Sequence, residues 1–276
     1  MKKSFSFILI ALLFLFSVSC SKTVTKTNTV TITDTITVTK TDTVTKLDSN
    51  VHLTNGLIAY YPFNGNANDV SGNNLNGTIN GGVSFGNDVK GNANSAVTFD
   101  GSTGYILVSD PSNKFQTNQV SISFLTNVTN ASVRNAFVAS LNFTNSGGLS
   151  YAVQISQAGL NKFQFGVVSN STACGNAPYD PNNAVNGANN VTENIWHSVV
   201  AIFADSLQSI YIDGILNTAM TRSFGTLNQC SSNQDFVIGG WWSGDLISLA
   251  GSMDEVRVYN RVLNQNEIAE LASPVQ

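Results

Sequence analysis

The sequence predicts an all-β fold, a sandwich of sheets with one short helix at its C-terminal end, and three observations carry that reading. Beyond Asn55 the chain breaks into short apolar alternating runs separated by Asn, Gly and Ser, the pattern of strands and turns in a sandwich. A composition of 42% hydrophobic and 11% charged residues over 276 positions supplies a real core and excludes compositional disorder for most of the chain. The end alone reads as helix: in LNQNEIAELAS, Asn264 caps a turn with Glu267 three residues on, and Ile268 with Leu271 gives a short apolar face.

In chain order, the first element is a leader. MKKSFSFILIALLFLFSVSC runs from two lysines through an apolar stretch, Phe5 to Phe16, to small residues before Cys20, the order of a secretory signal and too short for a spanning helix. Its end resembles the lipobox of bacterial lipoproteins, with Ser17 where Leu is usual. That resemblance implies residues 1–19 as signal peptide, a lipid on Cys20, membrane attachment by lipid only and, with Ser21 next, an outer-membrane or cell-surface location. Plain secretion with cleavage nearby is the alternative.

From Thr23 to Thr45 every odd-numbered residue is Thr. Strict alternation fits extended chain and excludes a helix. With no Gly, Pro or turn dipeptide, the segment is expected not to fold back, so residues 20–50 read as a lipidated N-terminus and stalk, reaching about 100 Å at roughly 3.3 Å per residue. Asp34-Thr35-Ile36, Asp42-Thr43-Val44 and Asp205-Ser206-Leu207 resemble bacterial O-glycosylation sites, which would place sugars on Thr35, Thr43 and Ser206.

Residues 51–276 form the domain. Strands are expected at 57–63, 76–79, 96–99, 104–108, 119–126, 136–143, 151–156, 162–168, 195–203, 208–213, 236–239 and 251–259, with Asp213-Gly214 as a hairpin turn. If Cys20 carries lipid, Cys174 and Cys230 remain as an even pair in an oxidising compartment; one disulfide or two free thiols are the two readings. Residues 52–276 hold seven basic against fourteen acidic side chains. That balance argues against nucleic acid or an anionic membrane surface as partner, since phosphate binding needs clustered Lys and Arg.

Four segments, GLIAYYPFNGNANDVSGNNLNGTINGG, AVTFDGSTGYILVSD, IWHSVVAIFADSLQSIYIDGILN and GSMDEVRVYNRVLNQNEIAEL, follow the order seen in laminin-G-like, concanavalin A-like jelly-roll domains, over residues 56–272. The resemblance implies a LamG-type jelly roll of two antiparallel sheets, one concave, with ligands at the concave face or its rim. It also implies pairing of the first and last strands, which brings Asn68 and Asp69 toward Asp254 and Glu255. Two readings of these oxygens stand open: a structural Ca²⁺ site, or an Asx-type turn capped by Asp69.

Sugars are bound by stacking on rings and by hydrogen bonds to planar polar groups. Trp241 and Trp242 are therefore ligand candidates, one expected to fill core and the other to face outward. Tyr179, Asp180, Asn182 and Asn183 in the loop from Ser169 to Asn194 are a second set, with a merely braced surface loop as the alternative. Glycosidases of this fold set acids at alternating positions of one strand, and no such run occurs here. The expectation is a surface lectin-like protein binding extracellular carbohydrate or glycosylated protein and not an enzyme. A structural or adhesion domain binding a protein partner is the second reading and a glycoside hydrolase the remote one.

Overall fold

The computed structural model describes residues 23–32, 36–45, 52–143, 149–155, 160–168, 184–221, 227, 234–243 and 245–275. The chain divides into two units, Met1–Asn50 and Val51–Gln276.

In the first unit β1 (Thr23–Ile32) pairs antiparallel with β2 (Ile36–Thr45). The threonine segment therefore does fold back, against the expectation of one extended run. The register explains why. Thr23 opposes Thr45 and Ile32 opposes Ile36, so the alternation is symmetric about residue 34 and every Thr meets a Thr, while Lys26 meets Asp42. Alternation symmetric about residue 34 keeps odd positions opposite odd and even opposite even along the whole ladder. Thr43 lies within β2, whereas Thr35 and Cys20 lie outside the described residues.

The second unit holds β3 (Leu57–Tyr61), β4 (Thr78–Asn80), β5 (Val83–Gly86), β6 (Ala96–Asp100), β7 (Tyr105–Ser109), β8 (Val120–Val128), β9 (Asn135–Leu141), β10 (Tyr151–Ile155), β11 (Gln164–Val167), β12 (Ala184–Asn186), β13 (Trp196–Ala204), β14 (Leu207–Ile212), β15 (Ile215–Thr221), β16 (Asp235–Ile238), β17 (Ala250–Tyr259) and α1 (Gln265–Ala272). All twelve expected strands are present, with ends moved by a few residues. Three strands escaped prediction: β5 and β12 are too short to show alternation, and β15, ILNTAMT, is an edge strand with little buried surface to pattern it. β12 also shows that the segment from Ser169 to Asn194 is not one continuous loop, because Ala184–Asn186 pairs with β11.

These strands make two antiparallel sheets. One runs β12-β11-β10-β9-β16-β7-β4, the other β15-β14-β13-β8-β17-β6-β5, with β3 on β17. Alternate residues face the space between the sheets, where Phe124 of β8 stacks on Phe137 of β9 at 5.4 Å and Phe137 meets Phe163 at 5.2 Å. This interior includes the fully buried Tyr61, Phe63, Phe115, Phe165, Phe203 and Phe236. The turn between β14 and β15 is the expected Asp213-Gly214 pair, with φ of 51° and 80°, the doubly left-handed turn whose twist suits a hairpin.

α1 closes the outer face of the eight-stranded sheet, packing Ile268, Leu271 and Leu263 on Val200, Ile202 and Tyr259. Its start is a reciprocal cap. The Asn264 side chain accepts from the backbone of Asn266 and Glu267, and Glu267 accepts from the Asn264 backbone N–H at 2.8 Å. Asn264→Ala is expected to lower stability by about 1 kcal/mol, read as a fall in the denaturant midpoint with an unchanged slope.

Candidate functional site

β3 and β17 pair antiparallel with Val256 opposite Tyr61 and Val258 opposite Ala59, so the first and last strands of the sandwich do lie together. β3 is left with one unpaired edge, an exposed ladder that a protein must cover. The segment Asp69-Val70-Ser71-Gly72-Asn73 covers it. Val70 N–H donates to Tyr60 O (2.9 Å) and Tyr60 N–H donates to Asp69 Oδ1 (3.0 Å). The Asn73 amide donates to Ile58 O (2.8 Å) and Leu57 O (3.2 Å). Asp69 also accepts from Ser71 N–H, the Ser71 hydroxyl and Leu75 N–H at 2.8 to 3.0 Å.

That edge forms one wall of a groove of about 350 Å³, lined by Gly56, Leu57 and Ile58, by Asn73, by Asn113, Lys114, Gln116 and Thr117, and by Asn260. Asn260 N–H donates to Gly56 O at 2.9 Å. Gly56 sits at φ 66°, and a Cβ there would meet Asn260 Oδ1 at 2.7 Å, so glycine is required for this close approach. The opposite wall is the turn from Asp110 to Thr117. Asp110, 2% exposed, accepts Phe115 N–H at 2.8 Å through its carboxylate and Asn113 N–H at 3.1 Å through its carbonyl. Phe115 anchors the turn by stacking on Phe236 at 4.5 Å. Across the groove, Lys114 Nζ donates to Asn73 Oδ1 at 2.9 Å.

The described lining thus presents four side-chain amides, one hydroxyl and one ammonium, with no carboxylate and no ring. Planar amides suit hydrogen bonding to hydroxyl-rich ligands. None of these residues was singled out in the sequence. DPSNKFQTN did carry a signal, since Pro and Asn mark a turn and a lone Lys stands among amides, but its pairing with Asn73 and Asn260 is decided only by the fold.

The residues expected to hold calcium take separate roles. Asp69 is the edge cap just described, and Asn68 is exposed, its N–H donating to Asn66 Oδ1 at 2.9 Å. Glu255, at φ 55° where the register of β17 shifts, accepts from the Tyr60 hydroxyl at 2.9 Å and pairs with Arg257. Arg257 lies over the Tyr60 ring at 3.9 Å. Asp254 is 4% exposed and accepts the Glu255 N–H at 2.7 Å. Its carboxyl is pushed up to about 8 by burial and by the neighbouring Glu255 charge. The three carboxylates are thus each engaged by protein donors, Asp69 and Asp254 by backbone N–H groups and Glu255 by Tyr60 and Arg257. Among the described residues no group of three or more His, Cys, Asp or Glu side chains is placed to hold a metal.

Trp241 and Trp242 lie on the second face of the seven-stranded sheet. Trp241 is 8% exposed and packs with Ala136, Ala139, Leu141, Phe143 and Ile247. Trp242 is half-buried against the same cluster. The two rings therefore do not take opposite faces: residues 241 and 242 lie outside any strand, so the alternation rule does not govern them. In the same sheet an amide row crosses three strands, Gln154 donating to Gln164 at 3.3 Å and Gln164 to Asn186 at 2.9 Å. Ser206, with Asp205, makes the turn of the β13–β14 hairpin at φ 77°. Tyr179, Asp180, Asn182, Asn183, Cys174 and Cys230 lie outside the described residues.

Residues 100–269 match the family model of the concanavalin A-like lectin/glucanases superfamily. The chain belongs to that superfamily. Among solved structures, this concanavalin A-like domain is similar to domain 4 of AbnA, a GH43 extracellular arabinanase from Geobacillus stearothermophilus, in complex with arabinotriose. The TM-score is 0.55 at 20% identity, over 78% of this chain and 98% of that one. It is similar to the binding domain of botulinum neurotoxin DC in complex with SialylT, with TM-score 0.59 and 15% identity, over 82% of this chain and 53% of that one. The binding domain of Paraclostridial Mosquitocidal Protein 1 gives TM-score 0.59 and 13% identity, over 80% of this chain and 52% of that one. The chain thus spans about half the length of the toxin domains, and at these identities the likeness is one of fold. No curated protein is matched by the sequence.

Proposed function

We propose that this chain is a non-catalytic glycan-binding protein, carried on a membrane by lipid at Cys20 and facing the cell exterior, whose ligand is extracellular carbohydrate or glycosylated protein. The single observation that carries the reading is the amide-lined groove beside β3. Four amides and a hydroxyl on two braced walls match the repeated donors and acceptors of a saccharide, and a described lining without carboxylates offers no acid and base for hydrolysis. Two of the structural neighbours were solved with saccharide ligands, arabinotriose and SialylT, which agrees with the reading.

The test is a glycan and polysaccharide panel probed with the full chain. Binding is expected to fall about five- to tenfold in Gln116→Ala and Asn260→Ala, each removing a hydrogen bond of about 1 to 1.5 kcal/mol. Trp242→Ala is expected to keep binding. Loss in Trp242→Ala alone would move the ligand to the other sheet, and released oligosaccharide products would overturn the non-catalytic reading.

A second reading, docking to a protein, is favoured by β15. This edge strand carries no charged residue and leaves Ile215 73% and Leu216 52% exposed, features that invite strand addition.

A further inference from the structure

The groove lining contains one charge, and its setting differs from that of the domain's described arginines. Arg134 pairs with Asp245, Arg257 with Glu255 and Arg261 with Glu267. Lys114 has no carboxylate partner among the described residues, and it donates to the neutral Asn73 Oδ1 at 2.9 Å. An ammonium has three donors, so two remain for a ligand.

The lysine is also held in place. Asn73 is fixed by its two bonds to the β3 carbonyls. The next residue along from the lysine, Phe115, is fixed by its ring in the core and by its N–H on Asp110. The acids of the two groove walls, Asp110 and Asp69, do not compete for the ammonium. Asp110 is buried beneath the turn, and Asp69 is engaged by four donors on the edge cap. A cation braced in a groove, on a domain with seven basic and fourteen acidic side chains, gives anions a favourable place on a body that repels them as a whole.

We propose that the groove selects saccharides bearing an anionic substituent, a carboxylate or a sulfate ester, and that Lys114 is the specificity-determining contact. This rests on the groove being the glycan site. The uncharged amides hydrogen-bond the ring hydroxyls, and the ammonium takes the anion. Lys114 is exposed at the groove rim, so its pair with an anion is screened by solvent and contributes as a surface charge pair does.

The experiment titrates the full chain with uronate- and sialate-containing oligosaccharides, each beside its methyl-esterified form, and with a sulfated saccharide beside its desulfated form. The charged member of a pair is expected to bind about two- to fivefold tighter than the neutral one, the factor for an exposed charge pair. The advantage should shrink as salt rises from about 0.01 to 0.15 M. Lys114→Gln is expected to bring the charged-to-neutral ratio to about one, and Lys114→Arg to restore most of it, with unchanged melting curves as the folding control. Which pair shows the preference distinguishes carboxylate from sulfate, and either supports the proposal. Equal affinity for charged and neutral members in the wild type, or a preference that survives Lys114→Gln, overturns it while leaving the glycan site standing. Absence of binding to every saccharide removes both.

Discussion

Asp254→Asn is expected to stabilise the protein at pH 8 and to flatten its stability between pH 4 and 8. Asp254 is buried at 4% exposure beside Glu255, and its carboxyl is held up to about 8 by burial first and by that charge second. Unfolded, an Asp titrates near 3.9. Between those values the folded state holds a proton that the unfolded state has released, so stability is greatest at the low end and falls as pH rises toward 8. The full effect is on the order of 3–5 kcal/mol. Asn mimics the protonated acid and keeps an oxygen for the Glu255 N–H, so the variant removes the dependence without removing the contact. Below pH 4 the trend reverses. Glu267, held low first by its hydrogen bond from Arg261, loses its stabilising charge as pH falls. Urea melts at pH 5 and pH 8.5 check this, and equal wild-type midpoints at the two would contradict it.

Asp69→Ala is expected to cost at least about 3 kcal/mol. The carboxylate satisfies the N–H groups of Tyr60, Ser71 and Leu75, and each donor left unpaired in a partly buried site costs about 1–3 kcal/mol. Loss of the cap also frees the β3 edge and one groove wall, so weaker binding should accompany the lower stability. Asp69→Asn is expected to fall between, since its amide turns donors toward donors. A calcium ligand at this position would produce the same loss in the variant, but with a chelator-sensitive melt in the wild type. With Asp69 bonded as it is, the melting temperature should be unchanged by chelator and by added calcium.

These two acids show how far a sequence can be read. Asp69 and Asp254 stood out as oxygen ligands because the pairing of first and last strands was legible from the motifs at both ends. That pairing is present, with Val256 opposite Tyr61. The Asx-type turn at Asp69 was legible, since Ser71 N–H lies two residues on, but its further bond from Tyr60 N–H and the burial of Asp254 were not, because they depend on which strand edge the turn covers once the sheets assemble. Trp241 and Trp242 illustrate the same limit: aromatic content drew attention to them, but their packing on Phe143 and Ile247 is set by a loop path that no period describes. The groove went unnoticed because its residues are ordinary turn formers, and only the anchoring of Phe115 and the covering of β3 bring Lys114 to Asn73.

By itself the sequence determined the β class, twelve of the strands, the Asp213-Gly214 hairpin and the capped terminal helix. Each follows from neighbours within a few residues, through side-chain alternation, positive-φ turn residues and the Asn264–Glu267 box. The tertiary structure decided the return of the threonine segment on itself, the roles of the acids and the location of the groove. Those depend on which backbone groups are left unpaired once the sheets assemble, and therefore on contacts between residues that the chain itself holds far apart.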